Sequence, residues 1–198
     1  MTLRFKAFWI AALIAAGAAS APALSQSQDA GWFIGAAGGS ASYRDACPAA
    51  VAAGFTCDNH GVAWKVFGGY QFTSWLGYEL AYGDLGKATQ SQVGVWTADF
   101  ETTAIDMVLV LTVPLDRFSL YAKWGLAVWE LERTITGAGA GSTNAKGSDI
   151  TYGFGMGYNV TKSIALQLEW QRYKDVGDIN TTGITNIDVG YFRVAFKF

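Results

Sequence analysis

The sequence predicts an all-β chain that closes as an eight-stranded antiparallel up-and-down transmembrane β-barrel. Three observations predict it: an export leader opens the chain, period-two alternation of apolar and small or polar residues recurs eight times after it, and the connections between those segments are alternately short and long. Bulk properties agree. The 198 residues suit one domain, and 24 Gly with 15% aromatic residues but only 3 Pro fit closely packed strands rather than a linker or collagen. A net charge of −2 argues against a nucleic-acid partner.

Arg4 and Lys6 precede the apolar run Ala7–Ala19, and the small residues of "SAPALSQSQ" follow. That is the three-part pattern of a secretory signal peptide, residues 1–23, with the cut after Ala23 or as late as Ser25. Residues 24–30 then form a short N-terminal segment before a barrel over 31–198. Loss of the leader removes Arg4 and Lys6 but no acid, which moves the charge from −2 to −4. No later segment reaches the ~20 apolar residues of a spanning helix. A membrane location therefore requires a closed barrel, because an open sheet leaves backbone groups unsatisfied in lipid.

The strands follow in order. In "GWFIGAAGGSASY" Trp32, Ile34 and Ala36 oppose Phe33, Gly35, Ala37 and Gly39. In "VAWKVFGGYQF" Val62, Trp64, Val66 and Tyr70 oppose Lys65, Phe67, Gly69 and Gln71. Leu76, Tyr78, Leu80 and Tyr82 oppose Gly77, Glu79, Ala81 and Gly83. Ile105, Met107, Leu109, Leu111 and Val113 oppose Asp106, Val108, Val110 and Thr112. Trp124, Leu126 and Val128 oppose Lys123, Gly125, Ala127 and Trp129. "ITYGFGMGY" sets Ile150, Tyr152, Phe154, Met156 and Tyr158 against Thr151 and three glycines. "IALQLEWQRY" sets Ile164, Leu166, Leu168 and Trp170 against Ala165, Gln167, Glu169 and Gln171. The closing "YFRVAFKF" sets Phe192, Val194, Phe196 and Phe198 against Tyr191, Arg193, Ala195 and Lys197.

Short connections fall at Thr73–Trp75, Pro114–Arg117 and Val160–Ser163. Long ones are expected at about Ser42–Gly61, Asp84–Thr103, Leu131–Asp149 and Lys174–Thr185. Tight turns on one rim and long loops on the other are the layout of outer-membrane barrels, with both chain ends on the periplasmic side. Residue size decides which face is wet. A soluble eight-stranded barrel fills its interior with large apolar groups and covers its exterior with long polar ones. Here one face is Leu, Ile, Trp, Tyr and Phe, and the other is mostly Gly and Ala with isolated charges. Small groups suit a narrow interior, and the large apolar face meets lipid. A Lys or Arg at the lipid midplane costs roughly 2–4 kcal/mol, and the apolar faces carry none in their middles. Aromatics gather towards both ends of the strands, as the two interfaces favour.

Cys47 and Cys57 are the two cysteines, ten positions apart, and an exported chain is expected to join them as a disulfide. Two Cys and one His do not complete a four-ligand zinc site without a carboxylate, so no metal and no cofactor is expected.

The stretch "FGGYQFTSWLGYELAYGDLGKA" (Phe67–Ala88) closely resembles the second and third strands of the transmembrane domain of outer membrane protein A (OmpA). "GWFIGA" in the first strand, "SIALQLEWQ" in the seventh and the terminal "FKF" extend the resemblance over about Gly31–Phe198. It implies inward charges that pair inside the barrel: Glu79 and Glu169 match inward acids and Lys123 an inward base. Ala37, Gly157 and Gln167 stand where the family carries charges, so the network is thinner. Strand phase adds Arg193 as a further inward cation, and Asp106 is expected to join from the loop side. Relatives continue into a periplasmic peptidoglycan-binding domain, and a barrel without that tether is expected here. The resemblance also implies that a last strand ending in Phe192, Val194, Phe196 and Phe198 is read by the outer-membrane assembly machinery.

The sequence thus points to a monomeric outer-membrane barrel of mainly structural role, or a small low-conductance, porin-like pore. Buried charges must be paired or hydrated, so Glu79, Lys123, Glu169 and Arg193 are expected to form one cluster of two acids and two bases. Outer-membrane lipids and lipopolysaccharide are the expected surroundings, with acids of the outer loops (Asp45, Asp58, Asp99, Glu101, Glu132, Asp149, Asp175 and Asp178) as candidates to bridge phosphates through divalent cations. The alternatives are a surface-binding protein acting through its extracellular loops and, more distantly, a lipid-modifying hydrolase using His60. No catalytic motif is matched, so no enzyme is expected.

Overall fold

The computed structural model describes residues 30–44, 46–47 and 54–198. The expected leader and Asp45 lie outside them. Among the described residues nine strands form one antiparallel sheet: β1 Gly31–Tyr43, β2 Phe55–Asp58, β3 His60–Gln71, β4 Leu76–Gln92, β5 Trp96–Leu115, β6 Phe118–Gly137, β7 Gly141–Asn159, β8 Ile164–Asp178 and β9 Gly183–Lys197. β2 and β3 are separated only by Asn59. β3 pairs with the lower part of β4 and β2 with its upper part, so together they make one wall segment. Eight walls result. β1 pairs with β3 on one side and β9 on the other, and β4 with β5, so the sheet closes without a free edge.

The alternation read from sequence is realised as an inside and an outside. Glu79, Lys123, Glu169 and Arg193 are buried, while Ile34, Leu80, Leu109, Phe154 and Leu168 are exposed on the outer wall. Three tight turns share one rim with both described ends of the barrel. Thr73 and Thr161 build the same device twice. In each, the Thr hydroxyl accepts a backbone N–H three residues on, from Leu76 at 3.0 Å and from Ile164 at 2.9 Å. The third is a two-residue hairpin at Asp116 and Arg117, with Asp116 at φ 57°.

At the other rim the structure departs from the expected long loops. Asp84–Thr103, Leu131–Asp149 and Lys174–Thr185 are mostly paired strand, with turns only at 93–95, 138–140 and 179–182. The physical reason is that in–out contrast fades once the outer face of a ribbon meets water instead of lipid, whereas backbone pairing continues. Two irregularities mark this level. The β4/β5 register shifts between Asp84 and Lys87, where Gly86 has φ +80° and its N–H donates to Asp84 Oδ1 at 2.7 Å; the β8/β9 register shifts between Tyr173 and Val176, where Asp175 has φ 52°.

Candidate functional site: a layered barrel interior

Several long inner side chains are paired in register with a glycine. Lys123 faces Gly153, Tyr121 faces Gly155, Trp129 faces Gly147 and Glu79 faces Gly69. A Cβ at Gly155 or Gly147 would run into the Tyr121 or Trp129 ring. The Gly-rich inner face is therefore the room that the charged and aromatic groups occupy.

At mid-barrel, Lys123 Nζ lies 2.6 Å from both Glu79 Oε1 and Glu169 Oε2. Arg193 donates one terminal nitrogen to Glu79 Oε2 at 2.6 Å and the other to Glu169. Lys65 Nζ donates to Glu169 Oε1 and to Gln171 Oε1, each at 2.6 Å. The Tyr121 hydroxyl donates to Glu169 Oε2 at 3.1 Å, and the Arg193 guanidinium sits 3.9 Å from the Phe67 ring centre. These residues come from β3, β4, β6, β8 and β9, so most of the ion pairs cross the lumen, and Arg193–Glu169 alone joins paired neighbours, β9 and β8. The arrangement is three cations about two carboxylates, where sequence reasoning expected two and two. Lys65 was the omission, although its inward phase in "VAWKVFGG" was the available signal.

Asp106 lies one step towards the opposite rim. Its Oδ2 accepts from the Tyr173 hydroxyl at 2.8 Å and from Gln171 Nε2 at 3.1 Å. No salt bridge to Asp106 occurs among the described residues; it meets the ionic layer through Gln171, which also donates to Thr151 Oγ1 at 2.9 Å. Beyond it comes a layer sequence reasoning did not anticipate. Tyr43, Leu85, Leu131, Val176, Ile187 and Val189 are all buried to 2% exposure or less, inside the end of the barrel away from the tight turns. The Tyr43 hydroxyl donates to the Gly86 carbonyl at 2.7 Å and so fixes this layer to the β4 bulge.

The remaining predicted residues lie outside this hydrogen-bonded and ion-paired network. A disulfide joins Cys47 to Cys57 with Cα atoms 5.8 Å apart, and Gln90 of β4 hydrogen-bonds the Ala46 carbonyl beside it. Phe192, Val194 and Phe196 line the outer face of β9, and Phe198, just past its end, exchanges backbone hydrogen bonds of 3.0 and 3.1 Å with Trp32. Ala37 and Gln167 flank Arg193 in register, with Gly157 next beyond Gln167. Asp149 is half-buried in the mouth and accepts from Trp129 Nε1 at 3.0 Å, and Asp99 accepts from Thr89 at 2.7 Å and Lys87 at 3.3 Å. Among the described residues no three His, Cys, Asp or Glu groups gather as a cation site. His60 stands on the outer wall at the rim, with no side-chain hydrogen bond recorded among the described residues.

A closed, eight-walled antiparallel barrel with its apolar face outward and its ion pairs inward defines an outer-membrane barrel protein. Residues 27–198 match the model of the OmpA-like transmembrane domain, and the chain belongs to that family. Its relatives include outer membrane protein A of Klebsiella aerogenes, 31% identical over 119 residues covering 60% of this chain and 33% of that protein. Outer membrane protein A of Shigella flexneri is 26% identical over 175 residues, covering 84% of this chain and 48% of that protein. The chain thus spans a third to a half of the length of these relatives. Among solved structures, Neisserial surface protein A superposes with a TM-score of 0.57 at 12% identity, covering 84% of this chain and 95% of that one. The N-terminal barrel of Pseudomonas aeruginosa OprF gives 0.55 at 13%, covering 85% and 98%. Yersinia pestis Ail gives 0.54 at 13%, covering 85% and 97%. At such identities these three show the shared fold.

Proposed function

We propose that this chain serves the bacterial outer membrane as a structural barrel whose lumen is closed, with both termini periplasmic and the β4–β5, β6–β7 and β8–β9 hairpins outside the cell. The supporting observation is the filled lumen: an ion-paired layer of Lys65, Glu79, Lys123, Glu169 and Arg193, backed by the apolar layer of Leu85, Leu131, Val176 and Ile187. A pore needs a continuous hydrated path, and an eight-stranded interior filled by side chains offers little room for one. The partners are outer-membrane lipids and lipopolysaccharide, with the barrel acting as a monomer and without cofactor, metal or catalytic role. During biogenesis the outward Phe192, Val194, Phe196 and Phe198 present the last strand to the assembly machinery.

Cells lacking the chain are expected to become more sensitive to detergent, and re-expression of the intact chain to restore them. Unchanged envelope resistance would count against the structural role. Deleting Phe198 is expected to lower the amount of barrel in the outer membrane while export continues; normal levels would remove the assembly role. Protease added outside intact cells is expected to cut the hairpins and spare the tight turns, and the reverse pattern would invert the orientation.

A second reading, a surface-binding protein acting through its hairpins, draws on the tips. Val93 and Ile179 are 73% and 76% exposed there, and Phe55 packs on Trp96 with ring centres 5.8 Å apart beside the first of them. Apolar side chains held up in water are a feature of contact surfaces.

A further inference from the structure

Across the outer wall, register places residues in rows. The row at the rim reads Tyr152, Arg172, Asp188, Ser42, His60 from β7 to β3. The row beneath it reads Phe154, Trp170, Gly190, Ser40, Val62, and the next reads Met156, Leu168, Phe192, Gly38, Trp64. On β1 the outward residues are large near the tight-turn rim (Trp32, Ile34) and small beyond the midpoint (Ala36, Gly38, Ser40, Ser42). With Gly190 alongside, this leaves a bare strip bordered by Trp170 on one side and Val62 and Trp64 on the other. A Cβ added at Gly38 or Gly190 would meet nothing within 4 Å. The strip runs up into a groove of about 520 Å³ lined by Ser40, Ser42, Arg44, His60, Trp170 and Asp188 among others.

Charge at the head of the groove is unbalanced. Asp188 accepts two hydrogen bonds from Arg172, at 2.5 and 2.7 Å, and one from Arg44 Nε. Two guanidinium groups thus share one carboxylate, leaving one net positive charge. The Arg44 side chain is 59% exposed, and no recorded hydrogen bond among the described residues uses its two terminal nitrogens. Arg172 is braced by stacking 5.1 Å from the Trp170 ring centre. Height in the membrane follows from strand geometry. At ~3.3 Å per residue and a tilt near 40°, an apolar band of ~25 Å takes about ten residues. Counted from Trp32 at one interface, that puts Ser42 at the other and Gly38 and Ser40 within the outer leaflet.

We propose that this groove binds a phosphorylated lipid of the outer leaflet, its phosphate on Arg44 and its acyl chains along Gly38, Ser40 and Gly190. The inference rests on the outer-membrane reading above and adds a site to it. It also moves the contact with lipopolysaccharide phosphate from the acidic hairpins to a cationic rim. Charge selects the head: a guanidinium with free donors takes a phosphate oxygen by charge-assisted hydrogen bonds. The Ser40, Ser42 and His60 side chains add polar partners for sugar hydroxyls or ester oxygens. Shape selects the tail, since bulky side chains cover the flanking walls at the same height.

The test uses the mature barrel refolded in a zwitterionic detergent, with folding checked by heat-modifiability on gels, so that loss of the barrel is told apart from loss of the site. Lipopolysaccharide and its enzymatically dephosphorylated form are titrated, and retained lipid is read by native mass spectrometry. Wild type is expected to hold the phosphorylated form about tenfold or more tightly, the scale of one or two charge-assisted hydrogen bonds. Arg44→Gln should erase that preference, and the double variant Gly38→Leu with Ser40→Leu should lower retention of both forms. Lys146→Gln, at a hairpin cation remote from the groove, should change nothing. Equal retention of the two lipid forms by wild type would overturn the proposal, as would variants that bind like wild type. Full competition by inorganic phosphate would reassign the groove to a free anion, and a lipid-independent dimer sensitive to the Leu variants would reassign it to a second copy.

Discussion

The two layers that fill the lumen are held together by opposite physics. The mid-barrel layer is a network in which each of two carboxylates meets at least two cations, and every member depends on its partners. The layer nearer the hairpins is mainly a cluster of aliphatic side chains that depends on fit, with Tyr43 tied to the β4 bulge through its hydroxyl. A buried ion network is intolerant of losing one member, because the remaining charges stay in low dielectric without compensation. An apolar cluster loses stability in proportion to the volume removed. The comparison teaches that the ionic layer fixes which strands meet across the lumen, while the apolar layer packs the space above it.

Substitutions can break this contrast, beginning with the largest effect. Glu169→Gln removes the charge that Lys65, Lys123 and Arg193 share, and is expected to cost about 3–5 kcal/mol in denaturant titrations of the barrel in lipid vesicles. A cost under ~1 kcal/mol would mean the cluster is hydrated or loosely held. Ile187→Ala, in a side chain with 0% exposure, is expected to cost about 2–4 kcal/mol in the same assay. Its effect should be insensitive to salt, whereas raised salt should partly rescue Glu169→Gln if water reaches the vacated site. Cys57→Ser opens a ten-residue loop and should cost roughly 2–3 kcal/mol through the unfolded chain, vanishing when wild type is compared under reducing conditions. Thr161→Ala removes a turn acceptor at the far rim and should cost only about 1 kcal/mol. It serves as a control that touches neither layer.

Legibility in the sequence divides along the same line. The ionic layer sits where lipid presses on the outer wall, so inward and outward residues differ sharply. Strand phase alone therefore oriented Glu79, Lys123, Glu169 and Arg193 inward. Lys65 carried the same phase signal, but which inward charges meet depends on strand tilt, which brings Lys65 of β3 to Glu169 of β8 and no sequence spacing encodes. The apolar layer lies higher, where hairpins stand in water on their outer face. There Leu85, Leu131 and Val176 are single apolar residues among polar neighbours and read as loop. Two register shifts hide them further, since a bulge at Gly86 or Asp175 breaks the period that a reader follows. The groove at the rim was illegible for a related reason: Arg44, Arg172 and Asp188 meet only once β9 closes against β1.

The measurement that bears most directly on a closed lumen is ion conduction through the refolded mature chain in planar bilayers, compared among wild type, Arg193→Ala, and Arg193→Ala combined with Leu131→Ala and Ile187→Ala, each first shown to fold by heat-modifiability. Silence is predicted for wild type and for Arg193→Ala, because the apolar layer remains above the disrupted ion pairs, with openings only when both layers are cut. Steady conductance through the unaltered barrel would contradict the account.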